Sequence, residues 1–267
     1  MNAYQKFYDR LFTIEDTEIE LRYLTAGKKL GLVVATAMLL SACQSETQTS
    51  VYDGQMVLAI SWQPAFCERA TRKPECKRVK RDRYDNTHFA LHGLWPQPGS
   101  NIYCGVSQDE ITQDKKRRWK KLAGLSLSDS LKQKLWQVMP GTRSFLHRHE
   151  WVKHGTCYSN SPETYYADSI KLMGAINGSA VQRLFAASIG KQLTGAQIRS
   201  AFDQSFGKGA GDRVRIACKR DGNRMLITEL TVGLKGLAQG DLGELIKASP
   251  KTRRGCPAGI VDGVGLQ

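Results

Sequence analysis

Apolar residues along this chain fall into short runs with different periods. Met56-Val57-Leu58-Ala59-Ile60-Ser61-Trp62 is nearly continuous and predicts a buried strand. Phe89-Ala90-Leu91 predicts another, with His92 at its end. From Ser126 to Met139, Leu127, Leu131, Leu135 and Val138 recur at helical spacing, and the pattern stops at Pro140-Gly141, so an amphipathic helix is expected. Ser161-Pro162 opens a second helix, with Tyr166, Ile170 and Met173 on one side. Thr194 to Phe206 reads as a third, with Ile198 and Phe202 inward. These Met and aromatic positions are read as core. Val214 to Cys218 and Leu226 to Leu234 read as strands joined by the turn Asp221-Gly222-Asn223. In the second strand Leu226, Thr228, Leu230, Val232 and Leu234 alternate with Ile227, Glu229, Thr231 and Gly233, the period of a half-exposed strand. Helices and strands come in separate runs, which predicts an α+β class with a largely antiparallel sheet.

The front of the chain reads differently. Lys28 and Lys29 precede an apolar run from Leu30 to Leu40, which is too short for a membrane-spanning helix and has the length of a signal-peptide core. The run ends in Leu40-Ser41-Ala42-Cys43, a string that resembles a bacterial lipoprotein cleavage box with Cys43 as the lipidated first residue. An ordinary secretory signal is the alternative. The organisation expected is a leader at 1–42, a polar tether at 43–54 and one domain at 55–267. Cys67, Cys76, Cys104, Cys157, Cys218 and Cys256 remain, and all can pair. Spacing leaves the connectivity open. Such pairs persist in oxidising compartments, so the domain is expected in the periplasm, on the outer membrane of a Gram-negative bacterium through Cys43, or secreted.

Charge narrows the partners. The 267 residues hold 39 Lys and Arg against 25 Asp and Glu, a formal net charge of +14. Basic and acidic residues cancel within 1–42, so the excess belongs to the domain. Such a surface concentrates polyanions, whether nucleic acid, anionic lipid or polysaccharide. The stretch from Glu68 to Thr87 is strongly basic. Lys115-Lys116-Arg117-Arg118-Trp119-Lys120-Lys121 is a second basic run, read as an exposed helix or loop.

Two segments carry candidate chemistry. Phe89-Ala90-Leu91-His92-Gly93-Leu94-Trp95-Pro96 puts a titratable group against an apolar strand. In Leu146-His147-Arg148-His149-Glu150-Trp151-Val152-Lys153-His154-Gly155-Thr156-Cys157, residues 149, 150, 153 and 154 fall within about 140° of one face of a regular helix. Two histidines, a carboxylate and an ammonium would then share one site.

Along their whole length these segments resemble the two active-site motifs of the ribonuclease T2 family. The likeness extends to the opening strand with Trp62 and Cys67 and to the strands from Cys218 to Val232, and so covers most of residues 55–260. The resemblance implies an α+β fold with a central antiparallel sheet flanked by helices and stabilised by disulfides. It implies a metal-independent endoribonuclease without a cofactor, cleaving single-stranded RNA through the 2′-hydroxyl to 2′,3′-cyclic phosphate ends that can then open to 3′-phosphates. His92 and His154 would form the acid–base pair, with His154 as base and His92 as acid. Lys153 and Glu150 would stabilise the pentacoordinate phosphate, His149 would bind phosphate, and Trp95 would stack a base. Cys67 would pair with Cys76, Cys104 with Cys157, and Cys218 with Cys256. His88 and His147 lie outside the matched positions and are read as structural or exposed. Gln97 stands where some members carry an acidic residue tied to base preference, so no preferred base follows. RNA is the expected partner, with no protein partner and a monomeric state.

Two rival readings differ in class. A zinc hydrolase would use the crowded His147, His149, Glu150 and His154. However, H-E-x-x-H sets its histidines four apart, whereas His149 and His154 are five apart with Lys153 between. An inactive RNA- or surface-binding scaffold would use the basic stretches but has no need for both histidines, the lysine and the glutamate.

Overall fold

The computed structural model describes residues 52–77 and 82–265. The expected leader, Cys43 and all but the last residues of the expected tether lie outside the described residues. Strand β1 (Gly54–Ser61) is followed by helix α1 (Gln63–Arg69), strand β2 (Ala90–Pro96), and helices α2 (Gln108–Lys115), α3 (Asp129–Val138) and α4 (Leu146–Glu150). Helices α5 (Pro162–Asn177) and α6 (Ala180–Ala187), strand β3 (Gln192–Thr194) and helix α7 (Gly195–Phe206) come next. Strands β4 (Val214–Asp221) and β5 (Arg224–Gly236), helix α8 (Leu242–Ala248) and strand β6 (Ala258–Ile260) complete the order.

The strands form one sheet in the order β2-β1-β5-β6-β3, with β4 also paired to β5. Every pairing is antiparallel except β5 with β6, which meet in parallel at Leu226 and Ile260. The sheet is thus largely antiparallel, as the run pattern predicted, and the one short parallel pair makes it mixed. Local pairing periods do not say which way a short distant strand such as β6 enters.

The helix starts follow their caps. Ser128 accepts from the Leu131 N–H, so α3 begins at Asp129 rather than Ser126. Ser161 caps α5 through the Thr164 N–H, and Thr194 and Gln197 form a reciprocal capping box at α7. Tyr165, Tyr166, Leu172, Met173 and Ile176 of α5 are buried in the core they share with Met56, Leu58 and Ile60 of β1. The Tyr165 hydroxyl accepts from the Leu94 N–H at 3.1 Å and donates to the Leu94 carbonyl at 3.0 Å, pinning β2 beneath α5. Trp62 is fully buried, and its Nε1–H donates to the Asp262 carbonyl at 2.8 Å, which ties the front of the domain to its end.

Strand β5 departs from simple alternation. Leu226 and Ile227 are both fully buried. The β4–β5 register passes from Ala217↔Glu229 to Cys218↔Ile227, leaving Thr228 as an extra residue that resets the side-chain phase. Disulfides join Cys67 to Cys76, Cys104 to Cys157 and Cys218 to Cys256.

Candidate active site

His92 does not end its strand, as the apolar run suggested, but interrupts it. The β1–β2 ladder runs from Met56↔Pro96 to Ala59↔Gly93 and resumes at Ile60↔Leu91, so His92 is the unpaired residue of a bulge. A bulge re-aims the side chain it carries. Next to the second bulge, on β5, stands Glu229. Strand β1 lies between the two, and its residue at this level is the small Ser61, paired with Ala90 on one side and Glu229 on the other. The His92 Nδ1–H donates to Glu229 Oε2 at 2.6 Å. That bond leaves Nε2 directed at Glu150, whose Oε1 is 3.5 Å away.

Glu150 is only 1 % exposed, and a carboxylate so buried requires compensating donors. Its Oε2 accepts from Trp95 Nε1–H at 2.8 Å. Its Oε1 lies 3.7 Å from His149 Nε2, so the two imidazoles converge on one carboxylate. Gly93 makes this approach possible: a Cβ there would sit 2.1 Å from Glu150 Oε2 and 2.6 Å from Trp95 Nε1. The Trp95 ring stands edge-on to His92 and 5.5 Å from the His154 ring, tilted by 33°.

The second segment is not one regular helix. α4 stops at Glu150, Trp151–Gly155 form a π-helical turn, and a last helical turn follows at Thr156–Tyr158. Single π turns recur at functional sites because they rotate the residues that follow. Gly155 lets the wide turn close, since a Cβ there would lie 2.4 Å from the Trp151 ring. The Lys153 carbonyl accepts from the Tyr103 N–H at 2.9 Å, and the Cys104–Cys157 disulfide holds that loop against the turn. The expected face survives, but an irregular backbone supplies it.

The histidines are tuned in opposite directions. Burial acts to lower the His92 pKa, but the hydrogen bond His92 donates to Glu229 and the charges of Glu150 and Glu229 outweigh it, and the result lies above the ordinary value. His154 is pushed down to about 3 by burial and by the nearby charges of Lys153, His149 and His92. Its Nδ1 is buried with no hydrogen-bond partner among the described residues. The surroundings thus favour the protonated form of His92 and the neutral form of His154.

Three supporting residues gave no signal in the sequence. Asp114 accepts from His149 Nδ1–H at 2.6 Å and from the Tyr103 hydroxyl at 2.8 Å. Trp119, inside the basic run, stacks on His149 at 4.7 Å and 19°. Glu229 is the third. His88 stacks on Tyr84, and His147 is lowered to about 4 by burial and Arg148; neither joins the cluster.

A cleft of about 790 Å³ opens beside His92, lined also by Ser61, Phe66, Leu91, Leu146 and Glu229. Among the described residues, no group of three or more His, Cys, Asp or Glu is arranged to hold a metal ion.

Comparison with known proteins follows the same residues. A family model described as the ribonuclease T2 family matches residues 53–243, a span that contains both histidine segments. Ribonuclease I of Escherichia coli strain K12 is 29 % identical over 210 residues, covering 67 % of this chain and 74 % of that protein. Ribonuclease S-2 of Nicotiana alata is 27 % identical over 151 residues, covering 50 % of this chain and 61 % of that protein. Ribonuclease MC1 from bitter gourd seeds shares the fold, with a TM-score of 0.50 at 19 % identity over 78 % of this chain and 99 % of that one. With the family's sequence pattern running through the bulge that carries His92 and the turn that carries His154, this chain belongs to the ribonuclease T2 family.

Proposed function

We propose that the chain is a metal-independent endoribonuclease that cleaves single-stranded RNA through the 2′-hydroxyl. The observation that carries this reading is the opposite tuning of His92 and His154 within one cluster. Neutral His154 takes the proton of the 2′-hydroxyl as its oxygen attacks the adjacent phosphorus. Protonated His92 gives its proton to the 5′-oxygen as the bond from that oxygen to phosphorus breaks. The products are a 2′,3′-cyclic phosphate and a free 5′-hydroxyl. The cycle leaves His92 neutral and His154 protonated, the state needed for water to open the cyclic phosphate to a 3′-phosphate with the roles reversed.

The other residues of the cluster bind and position. Lys153, whose charge is felt at both His92 and His154, and His149 stand where negative charge gathers on the phosphorane. A well-placed donor of this kind contributes about 3 kcal/mol to the transition state. Glu150 holds His92, His149 and Trp95 in mutual register. Trp95 spends its N–H on Glu150, and stacking a base is left to its ring. The three disulfides fit an exported setting, in the periplasm or outside the cell.

The test is His92→Ala and His154→Ala. Each is expected to lower kcat/KM on RNA by about 10²–10⁴-fold, while RNA binding measured by fluorescence anisotropy is largely retained. Wild-type cleavage by either variant would sink the assignment. A folded wild-type protein that binds RNA without cutting it would point to a binding scaffold instead.

A further inference from the structure

We propose that the cleft beside His92 continues into a downstream strand site, where phosphates 3′ of the scissile bond, beyond the first leaving nucleotide, are held by Arg215, Lys219 and Arg69. The inference rests on the ribonuclease reading. If His92 protonates the departing 5′-oxygen, the 3′ part of the RNA leaves on the His92 side. The cleft lies on that side: His92 and Glu229 line it, while Lys153 and His154 do not.

Its composition suits a nucleic acid strand. Phe66, Leu91 and Leu146 provide apolar surface for bases. Arg69 comes from α1, and Arg215 and Lys219 come from β4. Arg215, Ala217 and Lys219 alternate along the strand and so share a face, with Ala217 paired to Glu229. Four residues of strand set the backbone positions of Arg215 and Lys219 about 13 Å apart along β4. Arg69, Arg215 and Lys219 have no carboxylate partner among the described residues. Of the carboxylates in the cleft, Glu229 holds His92, and Glu75 is buried and accepts from the Ser144 hydroxyl through Oε1 at 2.9 Å.

The two basic walls are fixed before any ligand arrives. The Cys67–Cys76 disulfide closes the segment that carries Arg69, and Cys218–Cys256 anchors β4 between Arg215 and Lys219. The Arg69 guanidinium donates to the Arg220 carbonyl, joining one wall to the other. A braced backbone confines the ordering cost of binding to the side chains themselves.

The test uses oligonucleotides with a single ribonucleotide among deoxyribonucleotides, so that only one phosphodiester can be cut. The short substrate has one nucleotide on the 3′ side of that bond; others are extended by three nucleotides in the 3′ or the 5′ direction. Wild-type kcat/KM is expected to rise at least several-fold on 3′ extension and little on 5′ extension. In the double variant Arg215→Gln/Lys219→Gln, the ratio of 3′-extended to short rates falls to near one. The slope of log kcat/KM against log salt on the 3′-extended substrate flattens by about 1.4, for two lost contacts at roughly 0.7 each. Equal wild-type rates on short and 3′-extended substrates, or a double variant that keeps the 3′ gain, would overturn the downstream site while leaving the ribonuclease reading intact. A wild-type protein that cuts none of these substrates, nor bulk RNA, would remove that reading and the inference together.

Discussion

His92 depends on a residue that lies 137 positions away along the chain and across an intervening strand in space. Glu229 fixes the imidazole tautomer and supplies negative charge that favours the protonated form. Replacing Glu229 by Gln removes that charge, so the His92 pKa falls and, in the proposed mechanism, the general acid is lost at a lower pH. The alkaline limb of the kcat/KM profile is expected to move toward acid in Glu229→Gln, and an unmoved limb would separate Glu229 from the acid. The acid limb, which the proposed mechanism assigns to His154, should stay in place. Gly93 is a steric requirement of the same cluster. Gly93→Ala forces a methyl group into Glu150 and Trp95, and overpacking of this kind costs about 1–3 kcal/mol. A drop in Tm together with lost activity is expected, and a fully active, equally stable variant would contradict the packing described. At this scale the sequence was most legible where chemistry is contiguous: His149, Glu150, Lys153 and His154 lie within six residues and meet in one place. Glu229, Asp114 and Trp119 were not legible, because each reaches the site through register or loop geometry that no local spacing encodes.

The elements that deliver these residues are irregular where it matters. His92 sits in a bulge, Glu229 beside another, and His154 in a π turn. The periods in the sequence revealed the host elements, since apolar runs and helical spacing report the regular part of each. They could not reveal one-residue irregularities, which change pairing without changing composition. The amphipathic helices α3, α5 and α7 were legible because cap and apolar face agree at each. The three-residue strands β3 and β6 were not, being too short to show any period. Cys104–Cys157 closes a loop with a sequence separation of 53 around the second segment, and its removal releases about 4 kcal/mol of unfolded-state entropy in the chain model. Cys104→Ser/Cys157→Ser should therefore lower Tm and reduce kcat more than KM, because the π turn loses the loop that braces it. A double variant with wild-type Tm would contradict this bracing.

Across the whole molecule, a net charge of +14 favours polyanions, and the site within it shifts one histidine up and another down. The charge alone named only a class of partner. The fold adds direction, with Arg69, Arg215 and Lys219 lining the cleft beside His92. Attack by the 2′-hydroxyl, which deoxyribose lacks, is the central step of the proposed cleavage. The most direct measurement is digestion of RNA and of an all-deoxy strand of matched sequence by the oxidised domain in excess EDTA, with the product ends identified by mass. The account predicts 2′,3′-cyclic phosphate and 5′-hydroxyl ends from RNA at an undiminished rate, with the deoxy strand intact. Cleavage of the deoxy strand, 5′-phosphate ends, or activity abolished by the chelator would contradict it.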